Sequence, residues 1–250
     1  LLLTAISPYL RKNLFFMQVF YAPNCQLGFF PLQEDESKHV LRVLRMKKGD
    51  PVFVIDGNGR LFEGIIFEPH PKHCILQLSK VTENFEQRNY RLHMAVSPLK
   101  SVDRFEWFIE KAIEIGVDEI TPLNCSRTEK KNVNTDRLNR IVESAMKQSL
   151  KAYHPKMNEM QPYNKFVISQ QNDCQKGVAF CGEGEKEFIG RALEKGRETI
   201  ILIGPEGDFT DDEVALAKAN GFKGISLGES RLRTETAGVV ACHAISFINS

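Results

Sequence analysis

Thr199-Ile-Ile-Leu-Ile-Gly-Pro-Glu-Gly-Asp-Phe-Thr-Asp-Asp-Glu213 reads as a strand running straight into a turn and then a helix start. Residues 199–203 show no polar alternation, the pattern of a strand covered on both faces. Gly204-Pro205 ends it, and Thr210 followed three residues later by Glu213 forms a capping box that opens a helix. A doubly covered strand feeding a helix is the repeating unit of a parallel α/β sheet. Such sheets bind ligands outside the carboxyl ends of their strands, which makes Gly204, Pro205, Glu206 and Gly207 candidate ligand contacts. The two glycines would let a bulky ligand meet bare backbone. An ordinary βα turn reads the same way on this segment alone.

A second segment, Ile225-Ser-Leu-Gly-Glu-Ser-Arg-Leu-Arg-Thr-Glu-Thr-Ala-Gly-Val239, repeats the arrangement. A short strand ends near Gly228, a polar loop follows, and a helix begins with Thr234 as its candidate cap. Two strand-end glycine loops in one sheet imply a shared pocket. No G-x-G-x-x-G follows the strand Leu92 to Val96, and no G-x-x-x-x-G-K-[ST] occurs anywhere, so neither dinucleotide nor P-loop binding is indicated. A phosphate at the first loop would also face Asp211, Asp212 and Glu213, which suits a neutral or cationic ligand better.

Working outward, residues 89–250 alternate strands and helices. Further strands are expected at Glu119 to Leu123, Val178 to Cys181 and Gly224 to Leu227. Helices are expected at Val102 to Ile115, with Ser101 and Gly116 as its caps, and at Thr135 to Leu150. Residues 17–88 read differently. Short β-branched and aromatic runs, Pro51 to Ile55, Leu61 to Phe67 and Cys74 to Val81, are broken by Asp56-Gly-Asn-Gly59 and Pro69-His-Pro71, which predicts a small barrel or sandwich. One helix, Asp35 to Leu44, is expected to close its end. The boundary falls near residue 88.

The 250 residues carry 33 basic against 32 acidic side chains, a net charge of +1 that excludes a histone-like polybasic protein. No apolar run approaches the roughly 18 to 20 residues that span a bilayer. Six cysteines lie far apart with no C-x-x-C, which predicts core thiols in a reducing, cytoplasmic compartment. No H-E-x-x-H, EF-hand loop or paired Cys/His spacing occurs, so no metal is expected. Residues 1–16 precede the first methionine, Met17, and are read as a non-native or disordered extension rather than a signal peptide, because their charges follow the apolar run and Pro8 interrupts it.

Leu202-Ile-Gly-Pro-Glu-Gly207 with Leu227-Gly228 and Leu232-Arg-Thr-Glu-Thr-Ala237 resembles the C-terminal signature of the RsmE family of SPOUT RNA methyltransferases. Lys100 to Thr128, with Lys111-Ala-Ile-Glu-Ile-Gly116 and Ile120-Thr-Pro-Leu123, resembles the stretch after that family's first strand. His39-Val-Leu-Arg-Val-Leu-Arg45 with Gly49-Asp50 resembles its N-terminal PUA-like barrel. The resemblance spans Met17 to about Asn249. Two positions depart from it: Asp208 stands where a second glycine is common, and Lys147-Gln-Ser149 with Lys151 stands where many members read Glu-Gln-Ser and then an arginine.

The resemblance implies an RNA-binding PUA-like β-barrel over residues 17–88 and a SPOUT α/β domain over 89–250, with a C-terminal trefoil knot and pairing as a homodimer. It implies transfer of a methyl group from S-adenosylmethionine to N3 of a uridine in the decoding region of 16S rRNA, on the assembled small subunit. The implied cofactor residues are Gly204, Pro205, Glu206, Gly207, Leu227, Gly228, Leu232, Arg233, Thr234 and Ala237. Uridine N3 attacks only after losing its proton, so Arg233 is the candidate for stabilising the anion, and Glu235 or Glu206 for accepting the proton or orienting Arg233. A structural Arg233–Glu235 ion pair is the alternative.

N3 lies on the pairing edge, so the base must be unpaired or flipped, and binding elsewhere must offset that cost. Residues 38–48 hold Lys38, Arg42, Arg45, Lys47 and Lys48 beside His39 with no acid. Residues 127–156 hold eight Lys/Arg against three acids, with Arg127, Lys147 and Lys151 as candidates. These are the expected phosphate-contacting surfaces, one per domain. A noncatalytic RNA-binding or ribosome-assembly protein on the same fold, and a SPOUT enzyme with another RNA target, remain alternatives.

Overall fold

The computed structural model of the chain describes residues 19–170 and 173–250. The extension expected over residues 1–16, and Met17, lie outside them. The chain divides into two compact units, one of residues up to Gln87 together with Leu150–Tyr153, the other of Arg88–Ser149 with His154–Ser250.

The first unit is built on five strands, β1 (Val19–Tyr21), β2 (Gly28–Pro31), β3 (Pro51–Ile55), β4 (Leu61–Glu68) and β5 (Ile75–Thr82), in the order β1-β3-β4-β5-β2. Pairing is antiparallel except for β1 beside β3. Inward residues such as Phe20, Val52, Val54, Phe62, Ile66 and Leu76 form its core. The expected single helix is a short α1 (Glu34–Lys38) continuing into a π-helical turn, His39–Val43, that buries Val40. Leu150–Tyr153 packs here rather than extending the second long helix. The Gly59 N–H donates to the Ala152 carbonyl at 2.9 Å, and the Tyr153 ring fills the space a Cβ at Gly59 would need.

The second unit holds β6 (Leu92–Val96), β7 (Glu119–Asn124), β8 (Lys156–Met157), β9 (Gln161–Pro162), β10 (Gln175–Ala179), β11 (Glu187–Phe188), β12 (Thr199–Ile203) and β13 (Lys223–Ser226). Their order is β11-β13-β10-β12-β6-β7-β8, with β9 also on β7, and every pairing is parallel. Strands β6 and β12 are buried at every position, as unbroken apolar runs require.

The helices of this unit are α2 (Val102–Ile115), α3 (Thr135–Gln148), α4 (Tyr163–Ser169), α5 (Ile189–Ala192), α6 (Asp211–Ala219) and α7 (Thr234–Asn249). Helix α2 buries Phe105, Phe108, Ile109, Ala112 and Ile113, one apolar face at helical spacing. Ser101 stands at its N-cap position without a side-chain cap bond. Helix α7 packs on α2 closely enough that a Cβ at Gly238 would lie 2.5 Å from the Phe108 ring.

Candidate cofactor and RNA site

Strand β10 separates the two glycine loops. Ala179 is level with Ile203 on one side and with Ile225 on the other, so the loops leave the same edge of the sheet two strand spacings, about 10 Å, apart. Both lie outside the carboxyl ends of parallel strands, where ligands of open α/β sheets bind.

The first loop is fixed from several directions. Thr210 and Glu213 form the expected capping box, with the Glu213 N–H donating to Thr210 Oγ1 at 3.2 Å and the Thr210 N–H to Glu213 Oε2 at 2.9 Å. The other oxygen of this buried carboxylate accepts the Ser126 N–H at 2.7 Å, which ties in the turn after β7. Arg127 Nη1 donates to the Gly207 carbonyl at 2.7 Å, and the Lys100 N–H donates to Glu206 Oε1 at 3.0 Å. Lys100 is absent from the sequence-derived site because only its backbone contributes here.

The glycines divide by role. A Cβ at Gly204 would meet the Phe209 ring at 3.1 Å and one at Gly207 would meet Arg127 Cδ at 3.3 Å, so these two make room for the protein's own side chains rather than for a ligand. Gly228 is different: φ is +124°, and among the described residues nothing lies within 4 Å of where its Cβ would stand. Half-buried Leu227 and Leu232 flank that opening in sequence. Among the described residues, Glu229 to Leu232 take no part in a helix or strand. The Gly228 N–H donates to Ser226 Oγ at 3.3 Å, and that hydroxyl donates to the Gly228 carbonyl at 3.3 Å. The exposed stretch Gly228 to Arg231 between two leucines fits a nucleoside-type cofactor such as S-adenosylmethionine, which needs edge hydrogen bonds and apolar faces.

Asp208 takes up the position left by the missing glycine. Its φ is +63°, the left-handed region, and its Oδ2 accepts the Cys181 N–H at 2.8 Å and the Gly182 N–H at 3.2 Å. The side chain therefore clips the first loop to the end of β10.

The two acids assigned to chemistry differ in setting. Glu206 is exposed. Glu235 is buried in the first turn of α7, and among the described residues its Oε2 has no hydrogen-bond partner. Its ion pair among the described residues is with Arg104 of α2, Nε to Oε1 at 3.9 Å, and not with Arg233. The structural Arg233–Glu235 pair is thus replaced by one the sequence reading missed. Arg233 is exposed and is itself the N-cap residue, without a side-chain cap bond. Thr234, expected as the cap, is instead the first residue of α7 and is buried.

The basic stretches also sort themselves. In residues 38–48, Lys38 is held by Glu34 at 2.7 Å, while His39, Arg42, Arg45, Lys47 and Lys48 are exposed. Lys48 Nζ sits 5.3 Å from the centroid of the Phe67 ring. In the second stretch Arg127 is bonded to Gly207, and Lys151 pairs with Glu86 at 3.5 Å. Lys151 lies in the first unit, so this stretch is divided between the two units. Lys147 stands near the end of α3.

Comparison with known proteins places this geometry. Residues 86–246 match the family described as an RNA methyltransferase domain, and residues 32–79 match an RNA methyltransferase PUA domain. The chain is 31% identical to a protein of Buchnera aphidicola named ribosomal RNA small subunit methyltransferase E, over 94% of each chain. A crystal structure described as a probable rRNA-methyltransferase from Porphyromonas gingivalis superposes with a TM-score of 0.87 at 37% identity, covering 93% of this chain and 98% of that one. A ribosomal RNA small subunit methyltransferase E from Neisseria gonorrhoeae, solved bound to S-adenosyl methionine, shares the fold with a TM-score of 0.86 at 23% identity and the same coverage.

Proposed function

The chain belongs to the ribosomal RNA small subunit methyltransferase E family, and from that membership we propose that it methylates N3 of a uridine in the decoding region of 16S rRNA, with S-adenosylmethionine as donor. The observation that carries the reading is the pair of strand-end loops flanking β10, with the open left-handed Gly228 between Leu227 and Leu232. The cofactor supplies an electrophilic methyl group on a sulfonium. The chain's task is to hold the base in line with it and to manage one proton and one developing negative charge.

Gly204 to Gly207 shape the first loop, and Leu227, Gly228, Leu232, Thr234 and Ala237 receive the cofactor. Arg233, exposed at the start of α7, stabilises the charge that uridine O2 and O4 share once N3 is deprotonated. Glu206 is the better proton acceptor, since it is exposed at the loop, whereas Glu235 is buried against Arg104 and suits positioning of α7.

The trefoil knot and the homodimer belong to the same proposal. The knot is supported by the path of the C-terminus: β13 lies beyond β10, yet α7 returns to pack on α2, β6 and β12. Pairing of two copies is supported by Trp107 of α2 and Phe247 of α7, large side chains left 44% and 73% exposed. In the first unit, Arg42, Arg45, Lys47 and Lys48 are the phosphate contacts.

The test is incubation of the purified protein with labelled S-adenosylmethionine and small subunits from cells lacking this methylation, beside naked 16S rRNA. Label recovered as 3-methyluridine, with subunits preferred, is the expected result. Cofactor binding without any transfer would point instead to a noncatalytic role, and Arg233→Ala with near-normal turnover would remove that residue from the chemistry.

A further inference from the structure

A pocket of about 600 Å³ opens in the second unit on residues that the cofactor assignment leaves unused. Its apolar walls are Pro98 and Leu99 from the turn after β6, Val102 and Phe105 from the start of α2, and Val133 and Leu138 around the start of α3. The volume falls within the roughly 300 to 1,000 Å³ typical of small-molecule sites. Of its polar lining, Asn134 Oδ1 accepts the Arg137 N–H at 2.9 Å as the cap of α3, while Lys130 and Asn132 have no hydrogen-bond or ion-pair partner among the described residues. The one acid in the lining is neutralised: Arg137 Nε lies 2.6 Å from Glu106 Oε1, and its Nη2 donates to Oε2 at 2.8 Å.

The loops that build this pocket are bonded to the first glycine loop. The Lys100 N–H, one residue beyond Leu99, donates to Glu206 Oε1 at 3.0 Å, and Arg127, three residues before Lys130, holds the Gly207 carbonyl at 2.7 Å. Lys100 Nζ also pairs with Glu129 at 3.0 Å, closing the two pocket loops on each other. A ligand here is therefore positioned by the same framework that positions the candidate cofactor loop.

Apolar walls with two solvent-accessible donors that no described side chain engages, and an acid paired with an arginine, suit a nucleobase that carries carbonyl oxygens on its edge. Uracil presents such oxygens on either side of N3, and they share the negative charge when the N3 proton leaves. We propose that this pocket receives the target uridine after it is unstacked, with its ring against Val102 and Val133, apolar lining residues that stay partly accessible, and its carbonyl edge toward Lys130 and Asn132. The inference rests on the methyltransferase reading above and assigns the substrate base to a site within it. Lys130 acts on the uracil anion, and Asn132 positions the base.

The experiment fills the pocket without touching the glycine loops. Val102 is 36% exposed and Val133 is half-buried, so Val102→Trp and Val133→Trp occupy the space with little disturbance of the core. Cofactor affinity by calorimetry, thermal midpoint, molar mass in solution and single-turnover methyl transfer to unmethylated small subunits are measured for each variant and for the parent. Transfer at least 100-fold slower, with cofactor affinity, midpoint and mass unchanged, is expected. Lys130→Ala with Asn132→Ala should also slow transfer, and subunits carrying 4-thiouridine should crosslink to the pocket segments. Transfer within about threefold of the parent in both tryptophan variants overturns the assignment, as does a crosslink confined to other segments. A loss of transfer that tracks a change in molar mass would give the pocket to a second copy of the chain and likewise overturn it. A parent protein that binds cofactor yet transfers nothing would sink the methyltransferase reading itself, a result separable from the others.

Discussion

Asp208 shows how one side chain can answer two demands. Its backbone is left-handed, a conformation that costs an L-residue roughly 1 to 2 kcal/mol relative to glycine, while its carboxylate gathers two N–H groups at the end of β10. Asp208→Gly relieves the backbone and releases the two donors, whereas Asp208→Ala releases the donors and keeps the strain. Urea denaturation should therefore find the alanine variant less stable than the glycine variant by about 1 kcal/mol, and equal stabilities would show that the backbone conformation carries no cost. The departure from glycine is legible in the sequence, but its reason is not, because the acceptors serve residues 26 and 27 positions away. The neighbouring Cys181 is exposed, while burial pushes the Cys25, Cys125 and Cys242 thiols up to about 12. Since the thiolate is the reacting form, brief alkylation at pH 8 followed by peptide mass mapping should find Cys181 modified well before those three.

At the scale of elements, two close approaches carry testable weight. Gly238→Ala places a methyl group against the Phe108 ring where α7 crosses α2; overpacking of this kind costs about 1 to 3 kcal/mol, and a denaturation midpoint equal to that of the parent would mean the helices separate freely. The second is a polar network across β6, β7 and β8. His93 Nε2 lies 2.7 Å from Thr121 Oγ1, and Asn158 Nδ2 donates to both Thr121 Oγ1 and Glu119 Oε1 at 2.7 Å. Burial pushes His93 down to about 4. Burial also acts to raise Glu119, but the Asn158 amide, His93 and Lys156 outweigh it and hold that carboxyl below its usual range. As pH falls below 6.5 the unfolded histidine takes a proton that the folded one refuses until about 4, so the unfolded state gains and stability falls; Glu119 adds a loss of the same sign at lower pH. The urea midpoint should drop between pH 7 and pH 4.5, and His93→Gln should flatten the part of that drop above pH 5. A parent midpoint constant over that range would refute the assignment.

These elements also mark how far the sequence could be read. Strands β6 and β12, α2 and the Thr210–Glu213 capping box were legible because each depends on residues within a few positions of one another. The π-helical turn at His39–Val43 and the end of α3 at Gln148 were not, because tertiary packing of Val40 and of the Leu150–Tyr153 segment decides them. Arg104 with Glu235, and Ser126 with Glu213, join residues far apart in the chain, and no local pattern announces either pair. In the candidate site the loops themselves were legible, whereas the division of labour among Gly204, Gly207 and Gly228 depended on which side chains fill the space around them.

For the molecule as a whole the governing feature is a near-zero net charge spread unevenly. A chain at +1 gains little long-range attraction to RNA, so affinity must come from local clusters, and each phosphate neutralised releases counterions and steepens the dependence on salt. Residues 38–48 retain five exposed groups, His39, Arg42, Arg45, Lys47 and Lys48, after Lys38 is engaged by Glu34. In the other basic stretch Arg127, Arg137, Lys151 and Lys156 are committed to partners inside the protein. The first unit should therefore dominate the electrostatic part of RNA binding. Arg42→Glu combined with Arg45→Glu, measured as log affinity for small subunits against log salt from 50 to 200 mM, should reduce the slope by roughly 1.4 to 1.8 if each arginine meets one phosphate, at about 0.7 to 0.9 per contact. Both arginines lie outside the second unit and its candidate cofactor loops, so cofactor affinity should stay at the parent value while the apparent KM for subunits rises and kcat at saturation changes little. An unchanged slope would move the phosphate contacts elsewhere, and a fall in kcat without a change in KM would mean that these arginines act on the chemistry rather than on holding the RNA.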